Sequence, residues 1–540
     1  MKIEKLFNSR RKLVIIFILI LFIGLVLRIT NISNEEYWVD EVVSMEISRY
    51  SDSLAHLTAF IQQGEYHPPL YYYAMFFWTR ALGTEPLSTR SFSVIFGIAS
   101  LILFYFFVKK VFSYLPPKTS VKIALLAMTF LAVNPLHIEF SKEARPYTFF
   151  TFFGLLSCYF LLFLLEKRKW YFWLGLIASN IIGLYIHYSY FFIVAVQGVF
   201  LTVVWLFQKY RPGSFGVKFS LKELFYFFLA TITGFSLWLP TVINRFFESQ
   251  TEIYGARMAF GSGYDFFWLE RVTENLLWLE KYYLSGKSGP VIIFFAEAAI
   301  VGLLIYLFKV LKNQIRKESL WRFMFLSILF GGVLFFYFAS NLSIQYTPIV
   351  SRHILFAVFP LLALVSYAIY TLKNYSFRFF LTIFILISFV VVLPQVINSD
   401  SNWNKEYRVK ELAQYIRNSE QPNDLIVFND FRRVLFNYYY QGKITVSDFF
   451  PYKNFEKSYE LSNYATNSLE NKFSAHIITF ENNNPIHVQY LDKLTQGHNR
   501  VWVLLGDQGM RQYFINHNWL IQPLNYNVEN IFQPVLFVKR

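Results

Sequence analysis

Cysteine is nearly absent from this chain. Cys158 is the single cysteine in 540 residues and lies inside an apolar run, so no intramolecular disulfide can form and a thiol-based or cysteine-ligated metal centre has little to build on. Charge is sparse as well: Asp, Glu, Lys and Arg make up 16% of the residues, against roughly 25% in soluble domains. No glycine-rich phosphate loop occurs, and Gly506-Asp507-Gln508-Gly509 does not match a dinucleotide fingerprint. Internal repeats and low-complexity linkers are missing too. An ordinary soluble domain, a disulfide scaffold and a repeat protein are thereby excluded.

What is abundant is apolar and aromatic surface, 55% hydrophobic and 21% aromatic with 63 Phe, 37 Tyr and 12 Trp. Apolar segments long enough to cross a bilayer, about 17–25 residues each, recur along the chain, which predicts an α-helical multi-pass membrane protein. The first run, Leu13 to Leu27, follows Arg10, Arg11 and Lys12 as a signal peptide would. It is followed by Arg28-Ile-Thr-Asn-Ile-Ser rather than an Ala-x-Ala-like cleavage site, so an uncleaved first span is expected. Eleven spans are expected: 13–28, 90–108, 121–138, 146–165, 170–187, 190–207, 223–242, 290–308, 323–340, 352–371 and 378–397. Pro69 to Gly83 is aromatic but short and contains Arg80, which predicts an interfacial helix.

The positive-inside rule orients the chain. With Pro69 to Gly83 not crossing, the basic residues of the N-terminus and five loops all fall on the cytoplasmic side, 23 of the 50 Lys and Arg, accompanied by Glu4, Glu166, Glu223 and Glu318 alone among the acids. A crossing there would put every later basic loop outside. The net charge of +15 is therefore an orientation signal spread over loops, and nucleic acid is excluded as a partner. The expected domains are 1–397, a transmembrane domain with outer loops 29–90 and 243–289, and 398–540, a small soluble α/β domain on the outer side. In the outer loop 243–289, Phe266 to Leu269 and Leu276 to Leu279 look like amphipathic helices lying on the bilayer. In the tail, a helix over Glu406 to Asn418 precedes strand candidates Leu425 to Phe428, Lys443 to Val446, Ala475 to Phe480 and Val501 to Leu505, and that alternation predicts a largely parallel sheet.

This topology gathers ionisable residues at the outer ends of the spans. Asp40, Glu41 and His67 lie in the first outer loop; Arg90 opens the second span; His137, Glu139, Glu143, Arg145 and Tyr147 fill the turn between spans three and four; His187 and Tyr188 end span five; Arg352 and His353 open span ten. Each has a bland reading: a helix cap for Asp40-Glu41, a helix start for His67-Pro68-Pro69, a structural pair for Glu143 and Arg145, an interfacial histidine for His187, a snorkelling arginine for Arg352. Their conjunction on one face is harder to explain that way, because ionisable groups at membrane depth are costly. It predicts a polar cavity at the outer leaflet.

Trp38-Val-Asp40-Glu41, His67-Pro68-Pro69-Leu70-Tyr71-Tyr72, Thr89-Arg90-Ser91-Phe92-Ser93 with Gly97, Asn134-Pro135, Ser141-Lys142-Glu143-Ala144-Arg145-Pro146-Tyr147 and Ser351-Arg352-His353 follow one another in order. Over residues 10 to 400 this set resembles bacterial membrane glycosyltransferases of family 39 in the GT-C superfamily, relatives of protein O-mannosyltransferases and of the aminoarabinose transferases that modify lipid A. His353 departs from the tyrosine frequent in relatives. The resemblance implies a GT-C fold and inverting transfer of a sugar from a polyprenyl-phosphate donor to a lipid, glycan or protein acceptor at the outer face of the bacterial cytoplasmic membrane. It implies Asp40 as general base with Glu41 orienting the loop or acceptor, and His67, Arg90, Glu143, Arg145, Tyr147, His187 and Arg352 as donor-phosphate or substrate-binding residues. A divalent metal held by Asp40, His67, Glu143 and His187 is admitted by analogy with metal-dependent members, although the spacing is no recognised metal motif. Two alternatives stand beside this: a GT-C polymerase or ligase of surface polysaccharide, and a lipid or sugar transporter, which calls for polar residues near the bilayer midplane.

Overall fold

A computed structural model describes residues 10–34, 36–64, 67–210, 217, 219–244, 317–343, 351–397, 409–428, 433–440, 442, 445–448, 485–504, 508–524 and 534–540. The chain forms two compact units: Met1–Ile32, Tyr66–Tyr71 and Arg90–Asn398 make the first, and Ser33–Glu65, Tyr72–Thr89 and Ser399–Arg540 the second. One division falls after Asn398, and most of the first outer loop groups with the C-terminal part rather than with residues 1–397.

The helices in chain order are α1 (Arg10–Ile29), α2 (Val39–Tyr50), α3 (Leu54–Gly64), α4 (Leu70–Leu82), α5 (Pro86–Val111), α6 (Pro117–Ala132), α7 (Pro135–Ser141), α8 (Tyr147–Lys167), α9 (Trp170–Ile186), α10 (Tyr190–Tyr210), α11 (Leu221–Phe235), α12 (Lys317–Ser343), α13 (Val358–Thr371) and α14 (Tyr375–Ile397), with a 3-10 turn over Ser351–Ala357. Among the described residues five helices are long and apolar enough to cross a bilayer: Arg10–Ile29, Pro86–Val111, Tyr147–Lys167, Tyr190–Tyr210 and Tyr375–Pro394. Trp170–Ile186, Leu320–Phe336 and Leu355–Thr371 are shorter apolar helices. Val14, Ile18 and Phe22 of α1 and Phe380, Ile387 and Val390 of α14 are each at least half exposed, a cost in water that lipid removes. α4 has 13 residues, roughly 20 Å at 1.5 Å per residue and too short to cross. The expected span 290–308, the amphipathic runs at 266–269 and 276–279 and the strand 475–480 lie outside the described residues.

One expected span is broken. The apolar run 121–138 is two helices, α6 and α7, bent by 61°. Pro135 has no N–H to continue the helix and disfavours helical backbone at Asn134, which takes an extended conformation and caps α7 by accepting the His137 N–H at 2.9 Å. His137 is therefore not in an open turn: it is buried, 2.8 Å through Nδ1 from the Arg28 guanidinium.

The spans are also less apolar inside than their composition suggests. Asn180 on α9 donates to Gln197 on α10, and the Gln197 amide donates to Ser157 on α8 at 2.7 Å. Tyr190 donates toward Asn180 and Ser157, at 3.1 and 3.2 Å. The network is internally satisfied, which is the condition for burying amides. Gly183 makes room for it, since a Cβ there would stand 2.0 Å from the Tyr190 ring. At the C-terminal end of α8 Glu166 binds Lys110 of α5 and Arg322 of α12, and Arg168 binds Glu223 of α11. All five belong to the set that charge counting assigns to one face.

The second unit contains α15 (Val409–Ser419), β1 (Leu425–Phe428), α16 (Arg433–Tyr439), β2 (Thr445–Asp448), α17 (Pro485–Thr495), β3 (Arg500–Leu504), α18 (Gln508–Asn516), β4 (Trp519–Gln522) and β5 (Val535–Lys539). The strand order is β2-β1-β3-β5-β4. β1 runs parallel to β2 and β3, whereas β5 is antiparallel to β3 and β4, so the sheet is mixed rather than largely parallel. Leu425, Val427, Val501, Val503, Phe514 and Phe537 fill its core. Asp424 is buried there with both partners in place, accepting from Trp502 Nε1 at 3.0 Å and pairing with Arg500 at 3.2 Å.

Candidate active site

The Asp40 turn belongs to the second unit. Trp38 is the N-cap of α2, in extended conformation, and both acids fall in the first helical turn, where the helix dipole favours them. Glu41, at the third helical position, is buried and accepts the Trp38 backbone N–H at 3.3 Å. That is half of a capping box, and it commits Glu41 to fixing the turn. Asp40 is half-buried; its backbone carbonyl accepts from Ser44 Oγ at 2.8 Å.

The residues immediately before are pinned as well. The Glu36 carboxylate accepts the N–H groups of Val409 and Lys410 at 3.0 and 3.2 Å, at the start of α15. Burial pushes its carboxyl above the ordinary range, against the lowering effect of those two bonds. The Tyr37 N–H donates to Tyr439 Oη at 2.7 Å, and the Tyr37 and Tyr438 rings meet edge to face at 5.3 Å.

In the first unit, His67, Arg145, Tyr147, His187 and Arg352 are brought together. Arg145 and His187 lie in the short turns between α7 and α8 and between α9 and α10, and the Arg145 N–H donates to the Glu143 carbonyl at 2.8 Å. The guanidinium carbons of Arg145 and Arg352 each lie 5.8 Å from the centre of the Tyr147 ring, a cation–π distance. The Tyr147 ring is 5.9 Å from His187, which stands 5.1 Å from His67 and stacks on Phe150 at 4.9 Å. His187 Nδ1 accepts the Ser189 N–H at 3.0 Å, and its buried Nε2 has no hydrogen-bond partner among the described residues. Arg145 is 1% exposed. Guanidinium groups recognise anions through paired N–H donors. Arg90 is buried and donates to the Ile32 carbonyl at 2.8 Å, tying α5 to the chain leaving α1.

Three basic residues make contacts that sequence reasoning does not give. His353, read as a departure from the usual tyrosine, bonds Ser189 Oγ through Nδ1 at 2.8 Å with its ring 5.5 Å from His187, so it lines the cluster. Lys142 is buried and donates to the carbonyls of Ile397 and Val396, at 3.0 and 3.3 Å, satisfying the C-terminal end of α14. Arg28 is fully buried and donates to the carbonyls of Gly24, Ala132 and Leu131, besides His137 and Ser141, which fastens α1 to α6 and α7. Position at the edge of an apolar run does not reveal these contacts, since snorkelling explains a basic residue there equally well.

Among the described residues no three His, Cys, Asp or Glu side chains gather into a set able to hold a metal ion.

Residues 66–240 match the family described as dolichyl-phosphate-mannose-protein mannosyltransferase. No curated protein sequence matches the chain. The fold is similar to that of ArnT from Cupriavidus metallidurans in the apo state, with a TM-score of 0.56 at 10% identity over 97% of both chains. The same enzyme bound to undecaprenyl phosphate gives 0.55 at 12% identity over 98% of both chains. The archaeal oligosaccharyltransferase AglB from Archaeoglobus fulgidus, in complex with an inhibitory peptide and a dolichol-phosphate, gives 0.50 at 12% identity over 97% of this chain and 75% of that one. Residues 66–240 thus resemble a mannosyltransferase family, and the chain as a whole shares the fold of ArnT.

Proposed function

We propose that the protein transfers a sugar from a polyprenyl-phosphate carrier to an acceptor hydroxyl at the outer face of a bacterial cytoplasmic membrane, with inversion at the anomeric carbon. The observation that carries the reading is the cationic cluster: Arg145 and Arg352 on one tyrosine ring, with His67, His187 and His353 beside it. The ArnT likeness bound to undecaprenyl phosphate and the AglB likeness with a dolichol-phosphate support a lipid phosphate as the anion.

In this reading the acceptor oxygen attacks the anomeric carbon and the bond from that carbon to the phosphate oxygen breaks. The electron pair goes to the phosphate, where fork-shaped guanidinium bonds stabilise the developing charge. The proton of the acceptor hydroxyl goes to a carboxylate. Asp40 is assigned that proton by the sequence resemblance.

Transfer is tested with undecaprenyl-phosphate-linked sugars, reading release of undecaprenyl phosphate. Asp40→Asn should lower turnover at least about a hundredfold, at the low end of what a positioned general base contributes. A mutant keeping most of its turnover would sink the base assignment.

A further inference from the structure

We infer that the C-terminal α/β part of the second unit holds the Asp40 turn in place, with Tyr439 and Glu36 as positioning residues. The inference rests on the reading of Asp40 as the base and extends it to a part of the chain whose sequence offers no chemistry of its own.

The contacts are concentrated on the few residues that lead into α2. Glu36 lies four residues before Asp40, and its carboxylate is spent on the first two N–H groups of α15. Those groups have no partner inside their own helix, and a carboxylate suits that end of the dipole. Tyr37 follows, with its N–H on Tyr439 Oη at 2.7 Å, its own hydroxyl 2.8 Å from the Thr84 carbonyl and 2.6 Å from Thr89 Oγ1, and its ring against Tyr438. Trp38 comes next, its N–H on Glu41. Two successive backbone donors and the side chain before them are therefore held from outside the turn or by its own cap. Tyr439 and the helix start at Val409 belong to the C-terminal segment, and the rest of the turn belongs to the first outer loop.

The placement bears on rate because a base must meet the acceptor proton within hydrogen-bond reach, and a misplacement of about 1 Å can cost about a hundredfold. Tyr439→Phe removes the Tyr439 Oη acceptor of the Tyr37 N–H while keeping the ring, so the turn loosens without a cavity. Glu36→Gln keeps one carbonyl acceptor for α15, and Glu36→Ala keeps none.

The test uses the full-length protein and undecaprenyl-phosphate-linked sugars, with turnover expressed per folded molecule. Tyr439→Phe should lower kcat about tenfold, the loss of roughly one hydrogen bond's worth of positioning. KM for the lipid donor and the affinity for undecaprenyl phosphate should stay within about twofold, because the interaction lost acts on the chemical step alone. Glu36→Ala should lose more kcat than Glu36→Gln, a rescue that simple destabilisation does not produce. Unchanged kcat in both Tyr439→Phe and Glu36→Ala, or a loss confined to donor KM, overturns the inference. Asp40→Asn run in parallel separates the two claims: inactive Asp40→Asn with full-rate Tyr439→Phe and Glu36→Ala removes the positioning role alone, whereas active Asp40→Asn removes both.

Discussion

Asp40 and Glu41 are adjacent carboxylates with different duties. Glu41 is spent on the N-cap of α2, so Glu41→Gln, which keeps a carbonyl acceptor, should retain more turnover than Glu41→Ala. Equal losses in the two variants would mean that the charge matters more than the cap. Arg145 and Arg352 share the Tyr147 ring but reach it from different helical ends, Arg145 before α8 and Arg352 in the 3-10 turn before α13. A lysine in either place keeps the charge and loses the planar fork. Gly97 is fixed by contact: a Cβ there would stand 2.4 Å from Ser141 Oγ and 3.4 Å from Arg28 Nε. Gly97→Ala should cost about 1–3 kcal/mol by overpacking, visible as a lowered unfolding temperature in detergent. The double variant with Ser141→Gly should recover most of it, and an unshifted midpoint in the single variant would show that the contact is slack.

The break between α6 and α7 places Arg28, His137 and Ser141 in one buried network, and it was half legible in the sequence. Asn134-Pro135 is a start signal for a helix, but it sits inside an apolar run whose length suggests one uninterrupted span. Length won in the reading, and local backbone chemistry won in the fold. Asn134→Ala should remove the cap and cost about 1 kcal/mol, read in the same unfolding experiment; a neutral substitution would mean the bend is set by Pro135 alone. Long apolar helices were legible where their apolar runs and basic ends agree, as for α8, which runs from the site at Tyr147 to the Lys110, Glu166 and Arg322 group; α2 and α3, which have no such run, were not. The antiparallel half of the sheet was not. Trp519–Gln522 carries no alternation, being buried only at Trp519, so a periodicity rule has nothing to find there.

Across the whole chain the arginine and histidine members of the site were legible as residues, yet their grouping was not. Sequence order brought out the motifs; it could not show that His353 joins His187, or that the first outer loop belongs with the C-terminal part. The orientation expected from charge is testable by cysteine labelling, because Cys158 is buried and should stay silent toward an impermeant maleimide. Gln522→Cys, exposed in the α/β part, should label in intact spheroplasts, and Lys118→Cys should label only after permeabilisation. The reverse pattern would invert the topology.

The most direct measurement separates lipid-phosphate binding from transfer. Undecaprenyl phosphate is titrated into the full-length protein in nanodiscs, for the wild type, Arg145→Lys, Arg352→Lys and Asp40→Asn, alongside turnover of the linked sugar. The two lysine variants should bind undecaprenyl phosphate about tenfold more weakly, the loss of roughly one charge-assisted hydrogen bond, while Asp40→Asn binds it as the wild type does and transfers nothing. Wild-type affinity in both lysine variants would remove the lipid phosphate from the cationic cluster and contradict the account.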